Sequence, residues 1–285
     1  MNYKIVVDSC GELTEEMKQS GYFESVAMSI ELEGSTIVDD ETFDQADFLK
    51  RIAASGECPK SSCPSPERYM ESYAGEAERV YVVTLTAELS GSYNSAVLGK
   101  NLYEEEYGKK QIHIFNSKSA SVGETLIALK IQECEEAGMT FEEVIQTVEE
   151  YIESQKLYFV LETLETLKKN GRLKGVKALV ASALNIKPVM GATPEGTIYQ
   201  IGQARGIKKT LAKMTEMAIE GIQCGENKIL GIAHCNCRER AEAVAEMIKE
   251  KKKVKDVIIS NTAGISSMYA VSYTHLRAHE TGAYL

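Results

Sequence analysis

The sequence predicts an α/β protein of two domains. Residues 1–155 read as an α/β domain on a parallel sheet, and 156–285 as an α+β domain with a mixed sheet. In the first half, short apolar runs alternate with amphipathic stretches of helical period, the pattern of a parallel sheet with helices on both faces. Beyond Lys156, apolar runs flank Pro194-Glu195-Gly196, a turn signal that joins antiparallel strands. The length, 285 residues, is enough for two cores of ordinary size. No internal repeat or low-complexity linker separates the halves, so they are expected to meet along a shared cleft.

In chain order, an apolar run over 4–7 ends at Asp8-Ser9 and reads as the first strand, followed by a helix capped by Thr14 that runs to about Gly21. Asp8 and Ser9 therefore stand at the carboxyl end of a strand, where open α/β sheets place ligands. An aspartyl nucleophile would want a second carboxylate two positions on, where Cys10 stands; Asp8 is read instead as an acceptor behind nearby hydroxyls. Residues 25–38, with Gly34 at the turn, read as a hairpin or a strand with an irregular return. Asp44 caps a helix to about Ser55 that turns Phe48, Leu49 and Ile52 inward. Ser65 and Pro66 open the next helix as N-cap and first helical residue. A strand over 80–83, a loop, a helix to about Leu102 and a strand over 111–115 follow. Helices over 122–137 and 141–154, parted by the stop signal Gly138, complete the first half.

In the second half the same reading gives a strand over 157–161 and a short helix over 163–169. A basic turn, Gly171-Arg172-Leu173-Lys174-Gly175, leads to a small apolar helix over 177–184 and to strands over 186–190 and 198–203. A helix over 207–222, a strand over 228–234, a helix over 238–251 and a strand over 254–260 close the pattern.

Two hydroxyl-rich loops carry the chemistry. In TLTAELSGSYNSA, residues 84–96, Ser90, Gly91 and Ser92 fall where loop becomes helix, so hydroxyls and unpaired backbone N–H groups converge on one volume. Gly91 lets backbone approach a ligand oxygen without a Cβ in the way. No His, Arg or Lys lies among these residues, so the expected guest is a carboxylate or phosphate held by neutral donors. Simple helix capping by Ser90 or Ser92 is the competing reading. The second loop is PKSSCPSP, residues 59–66.

Lys60-Ser61-Ser62-Cys63-Pro64 resembles the K-T-S-Q-P loop of the DegV family of bacterial fatty-acid-binding proteins, and Leu89-Ser90-Gly91-Ser92-Tyr93 resembles its L-S-G-T-Y loop. Ile5-Val6-Val7-Asp8-Ser9, Asn116-Ser117-Lys118 with Gly123, Lys168-Lys169-Asn170-Gly171-Arg172 and Leu184-Asn185-Ile186-Lys187-Pro188 agree in order, over residues 3 to about 270. The resemblance implies a long-chain fatty acid in a tunnel between the domains. Ser61, Ser62, Ser90, Gly91 and Ser92 would meet the carboxylate, with Asp8 and Ser9 behind them and residues 179–186 in the tunnel lining. Cys63 replaces the usual glutamine and removes an amide donor. The resemblance also implies a partner, a fatty-acid kinase that phosphorylates the bound acid for phospholipid synthesis. Arg172, Lys174 and Arg205 are the candidate partner surface, against the alternative of plain solvated charge.

Composition narrows the remaining classes. With 32 basic and 42 acidic residues the formal net charge is −10, which disfavours nucleic-acid partners and repels anionic headgroups, leaving transient membrane contact open. The seven cysteines are an odd number with no signal peptide, read as free thiols in a cytoplasmic protein. His234-Cys235-Asn236-Cys237 lacks the second ligand pair of a zinc site, so no metal and no cofactor beyond the lipid is expected. Neither phosphate-binding glycine motif follows a strand. A serine hydrolase or acyl transferase using Ser90 is the alternative function, although Glu88-Leu89-Ser90-Gly91-Ser92 is not a nucleophile elbow. The protein is therefore expected to bind lipid rather than to catalyse.

The end of the chain reads differently. Residues 271–285, VSYTHLRAHETGAYL, lack sustained apolar alternation, and SYTHLRAHET resembles translated adapter read-through. The expectation is a non-native tail in place of a final strand, with an exposed sheet edge as the result. His275 and His279 are given no role, and none is carried over to Tyr269, which stands where family members often place a histidine.

Overall fold

The computed structural model describes residues 2–173, 185–222, 226 and 228–270, and the backbone of 280–284. The first half runs β1 (Tyr3–Asp8), α1 (Glu15–Ser20), β2 (Phe23–Val26), β3 (Ser29–Leu32), β4 (Ser35–Val38), α2 (Gln45–Ala54), β5 (Lys60–Ser62) and α3 (Pro66–Tyr73). It continues with β6 (Arg79–Thr84), α4 (Ser92–Tyr107), β7 (Gln111–Asn116), α5 (Val122–Glu136) and α6 (Phe141–Ser154). Side-chain caps set the helix starts. Thr14, Asp44 and Ser65 each accept from the backbone N–H three residues on, and Thr140 and Glu143 form a capping box at α6.

Strands β2-β1-β6-β7 form a parallel sheet in that order. Its apolar runs are continuous because both faces are covered. Ile5, Val7, Tyr81 and Val83 pack against Ile127, Ile131, Val144 and Val148 of α5 and α6. Val6, Val80 and Val82, one residue out of phase, pack against Tyr69, Tyr73 and Ala96 of α3 and α4.

One expected element divides. Rather than a single hairpin over 25–38, β2 joins the parallel sheet beside β1, and β3 and β4 form a hairpin to which β5 adds, giving a three-stranded antiparallel sheet. Ser61 and Ser62, expected in a loop, are thus held in strand register opposite Ile30 and Ser29. Three residues without apolar alternation carry no strand signal of their own; pairing with β3 makes them one.

The second half adds β8 (Leu157–Val160), α7 (Glu165–Lys169), β9 (Ile186–Ala192), β10 (Ile198–Arg205), α8 (Ile207–Gly221), β11 (Ile229–Cys235), α9 (Arg238–Lys249), β12 (Asp256–Asn261), α10 (Gly264–Ala270) and β13 (Glu280–Tyr284). Its six-stranded sheet has the order β10-β9-β8-β13-β11-β12, with β11 and β12 parallel and the other pairs antiparallel. The helix expected over 177–184, and with it most of the expected lining segment, lies outside the described residues. The expectation of a missing final strand is corrected, because the backbone of β13 lies between β8 and β11 and pairs with both. A strand flanked on both sides takes its hydrogen bonds from two ladders, so it forms without the alternation that would announce it. The sheet edges are β10 and β12.

Candidate functional site

The carboxyl ends of β1 and β6 and the loop after β7 face the six-stranded sheet across a cavity of about 370 Å³. Strand β8 contributes an apolar wall. Leu157, Phe159 and, just past the strand, Leu161 point into the cavity, whereas Tyr158 and Val160 turn to the core under α8. Met28, Leu85 and Ile198 extend that surface. The tip of the β9–β10 hairpin closes one side. There Gly196, at φ +94°, approaches so closely that a Cβ would lie 2.2 Å from Thr86 Oγ1 and 2.9 Å from Lys118 Cα.

The polar end is built from both hydroxyl loops. Ser61, Ser62, Cys63, Ser90 and Gly91 all line the cavity, and a Cβ on Gly91 would sit 3.2 Å from Cys63 Sγ, so the two loops touch. Ser90 Oγ accepts from the N–H of Ser92, the first residue of α4, at 3.2 Å, which leaves the Ser90 proton to donate elsewhere. Ser61 Oγ lies 3.0 Å from the Tyr269 hydroxyl, which also faces the cavity.

Ser92 stands apart from the other predicted contacts. Its hydroxyl is fully buried, donates to Asp8 Oδ2 at 2.5 Å and so must accept from the Tyr69 hydroxyl at 2.6 Å. Asp8 accepts as well from the backbone N–H of Leu85 (2.8 Å) and of Cys10 (3.2 Å), which ties the ends of β1 and β6 to the start of α4. Burial raises the Asp8 carboxyl above its ordinary value, and these donors hold it back. Ser9 acts one layer further away, accepting from Met28 N and donating to Asp39 Oδ2, both at 3.0 Å. Asp39 in turn accepts from Gly264 N (2.6 Å) and Ile265 N (2.9 Å), fixing the start of the short helix that carries Tyr269.

Of the proposed partner-surface cations, Arg172 lies in the cavity wall rather than on an open face. Its Nε donates to Leu89 O (3.1 Å), its Nη1 donates to Asn170 O (3.0 Å), and its guanidinium carbon lies 5.9 Å from the Tyr269 ring centroid. Arg205 is exposed at the end of β10, and Lys174 falls outside the described residues.

Neither described histidine makes a hydrogen bond to a serine among the described residues. His113 faces Glu149 at 3.5 Å. His234 lines the cavity with Nδ1 accepting from Cys237 N at 3.3 Å, which places any ring proton of the neutral form on Nε2; burial pushes its pKa down. Among the described residues no group of three or more His, Cys, Asp or Glu side chains could hold a metal ion, and no helix is long and apolar enough to cross a membrane. Tyr269 is the contact that sequence reasoning leaves without a role. The signal pointing to it was its alignment with a family histidine; its proximity to Ser61 exists only in three dimensions.

The chain resembles known proteins in sequence and in fold. A model describing the DegV family of uncharacterised proteins matches residues 2–272. A DegV domain-containing protein of Streptococcus gordonii is 33% identical over 284 residues, covering 99% of this chain and 100% of the relative. A DegV-family protein of Ruminococcus gnavus, refined with vaccenic acid, superposes with a TM-score of 0.95 at 59% identity, covering all of both chains. The fatty acid kinase (Fak) B3 protein of Streptococcus pneumoniae, loaded with linoleic acid, gives a TM-score of 0.86 at 31% identity over 100% of this chain and 99% of that one. Sharing sequence and fold with these proteins from end to end, this chain belongs to the DegV family.

Proposed function

We propose that this protein binds one long-chain fatty acid in the cavity between an N-terminal domain over 1–155 and a C-terminal domain over 156–285, and presents it to a fatty-acid kinase. The observation that carries the reading is the joining of an apolar cavity to a cluster of neutral hydroxyls at one end. Each methylene buried there contributes about 0.8 kcal/mol, so the chain supplies most of the affinity and the polar end supplies orientation. Ser61, Ser62 and Ser90, with the backbone at Gly91, hold the carboxylate, and the Tyr269 hydroxyl donates to Ser61 Oγ so that the Ser61 proton is free for the ligand. Ser92, Asp8 and Ser9 hold the loops in place from behind. The lipids in the R. gnavus and S. pneumoniae relatives support the ligand class, and the kinase in the latter's name supports the partner.

The protein needs no catalytic group for this role, since the acyl-phosphate is made by the kinase. The hydrolase alternative has little support, because Ser90 makes no hydrogen bond to a histidine among the described residues. Denaturing extraction of the purified protein followed by lipid mass spectrometry tests the proposal. One fatty acid per chain is expected; turnover of a chromogenic ester that disappears in Ser90→Ala would overturn it in favour of the hydrolase.

A further inference from the structure

We propose that binding of a fatty-acid anion draws a proton onto Glu12, one of four buried carboxyls stacked behind the polar wall of the cavity. The inference rests on the fatty-acid reading above and adds to it a regulation of the same site by pH.

Asp8, Glu12, Asp39 and Glu124 are all buried, from 0% to 6% exposed. No lysine, arginine or histidine is paired with any of them among the described residues. The titratable groups that face them are one another, Cys10, Cys63 and the Tyr69 hydroxyl. The basic groups on the cavity are engaged elsewhere: Lys118 with Glu153, Arg172 with two backbone carbonyls, and His234 with Cys237 N through Nδ1. Such a cluster in a low-dielectric wall cannot ionise fully.

Hydrogen bonding ranks its members. Asp8 and Asp39 each accept three donors and are the best supported as anions. Glu124 lies against Asp8 and Cys10 and keeps its proton, its carboxyl driven far up first by burial and then by Asp8. Glu12 lies between these extremes. Its Oε2 accepts from Ser121 Oγ at 2.6 Å and its Oε1 has no partner, and burial pushes it up to about 7. Ser121 and Ser266, the hydroxyls that flank Glu12, both line the cavity, and Ser121 is held at φ +57° and ψ −134°, a positive-φ conformation uncommon for serine. One layer of hydroxyls therefore separates the Glu12 carboxyl from the space the lipid enters. A carboxylate arriving in that space disfavours the anion of Glu12, and by reciprocity the protonated Glu12 favours the ligand.

The test titrates oleate into the lipid-stripped full chain around pH 7 by calorimetry, in two buffers of different ionisation enthalpy. An uptake of about half a proton per oleate is expected from a group titrating near 7. Affinity should fall as pH rises from 6.5 to 8.5, by up to about tenfold per unit. Glu12→Gln keeps an acceptor for Ser121 and should abolish both effects. Should that variant not fold, infrared difference spectra of wild type with oleate labelled at its carboxyl carbon decide. Growth of an unlabelled carboxylic-acid band supports the proposal, and growth of the labelled band alone assigns the proton to the ligand and overturns it. Oleate binding without proton uptake overturns this proposal only, as does uptake that persists in Glu12→Gln. Failure to bind oleate at all overturns the fatty-acid reading and this inference with it.

Discussion

Ser90 uses its hydroxyl in two directions, accepting from the Ser92 N–H and keeping its proton for the cavity, whereas the neighbouring Ser92 spends its proton on Asp8. That division gives the serines different consequences on substitution. If Ser61 and Ser90 hold the carboxylate as proposed, Ser61→Ala and Ser90→Ala each remove a charge-assisted bond worth about 1.5–3 kcal/mol, or roughly 10- to 150-fold in affinity. Oleate titration should show the loss, with little change in melting temperature for the two singly. Buried acids give a second prediction at this scale. Glu12, raised from 4.5 to about 7, and Asp39, raised from 3.8 to about 6, bind protons more tightly folded than unfolded. Stability contributed by the protonated forms is thus fully present below the ordinary values and is lost as pH rises to about 6–7. Melting temperature should fall between pH 5 and 7.5, and less so in Glu12→Gln.

Among the elements, α3 and α4 cross most closely at Gly99, where a Cβ would lie 2.6 Å from Pro66 O and 2.8 Å from Tyr69 Cβ. Pro66 opens α3 directly after the Ser61 loop, and Ser95 of α4 donates to Pro64 O at 2.5 Å, so the crossing sets where that loop stands. Gly99→Ala should destabilise by about 1–3 kcal/mol through overpacking, measured by denaturant midpoint. Oleate affinity should fall with it, because the Ser61 loop moves relative to Ser90.

For the whole molecule, the hairpin tip at Gly196 and the loops at Thr86 and Lys118 hold the two sheets around the cavity. Gly196→Ala places a Cβ against Thr86 and Lys118 in a backbone conformation that favours glycine. It should speed oleate release to acceptor vesicles while a fluorescent lipid still enters. The cations differ in the same sense. Arg172→Glu breaks two bonds to backbone carbonyls in the cavity wall and should reduce lipid retention and kinase-dependent acyl phosphorylation together. Arg205→Glu changes an exposed charge and should alter only the kinase rate, most at low salt.

What the sequence by itself determined is what lies within a few residues. The alternation of strands and helices, the caps at Thr14, Asp44 and Ser65, and the placing of Ser90 and Gly91 where loop gives way to helix are local, and the structure keeps them. Only the tertiary structure decided the rest. The direction of the Ser92 hydroxyl depends on Asp8, 84 positions away, and the neighbour of Ser61 is Tyr269, 208 positions away. Pairing with β3 turned Ser61 and Ser62 into a strand, and flanking ladders made one of Glu280–Tyr284. A hydrogen bond is made with whatever the fold brings within about 3 Å, and no periodicity along the chain encodes that distance.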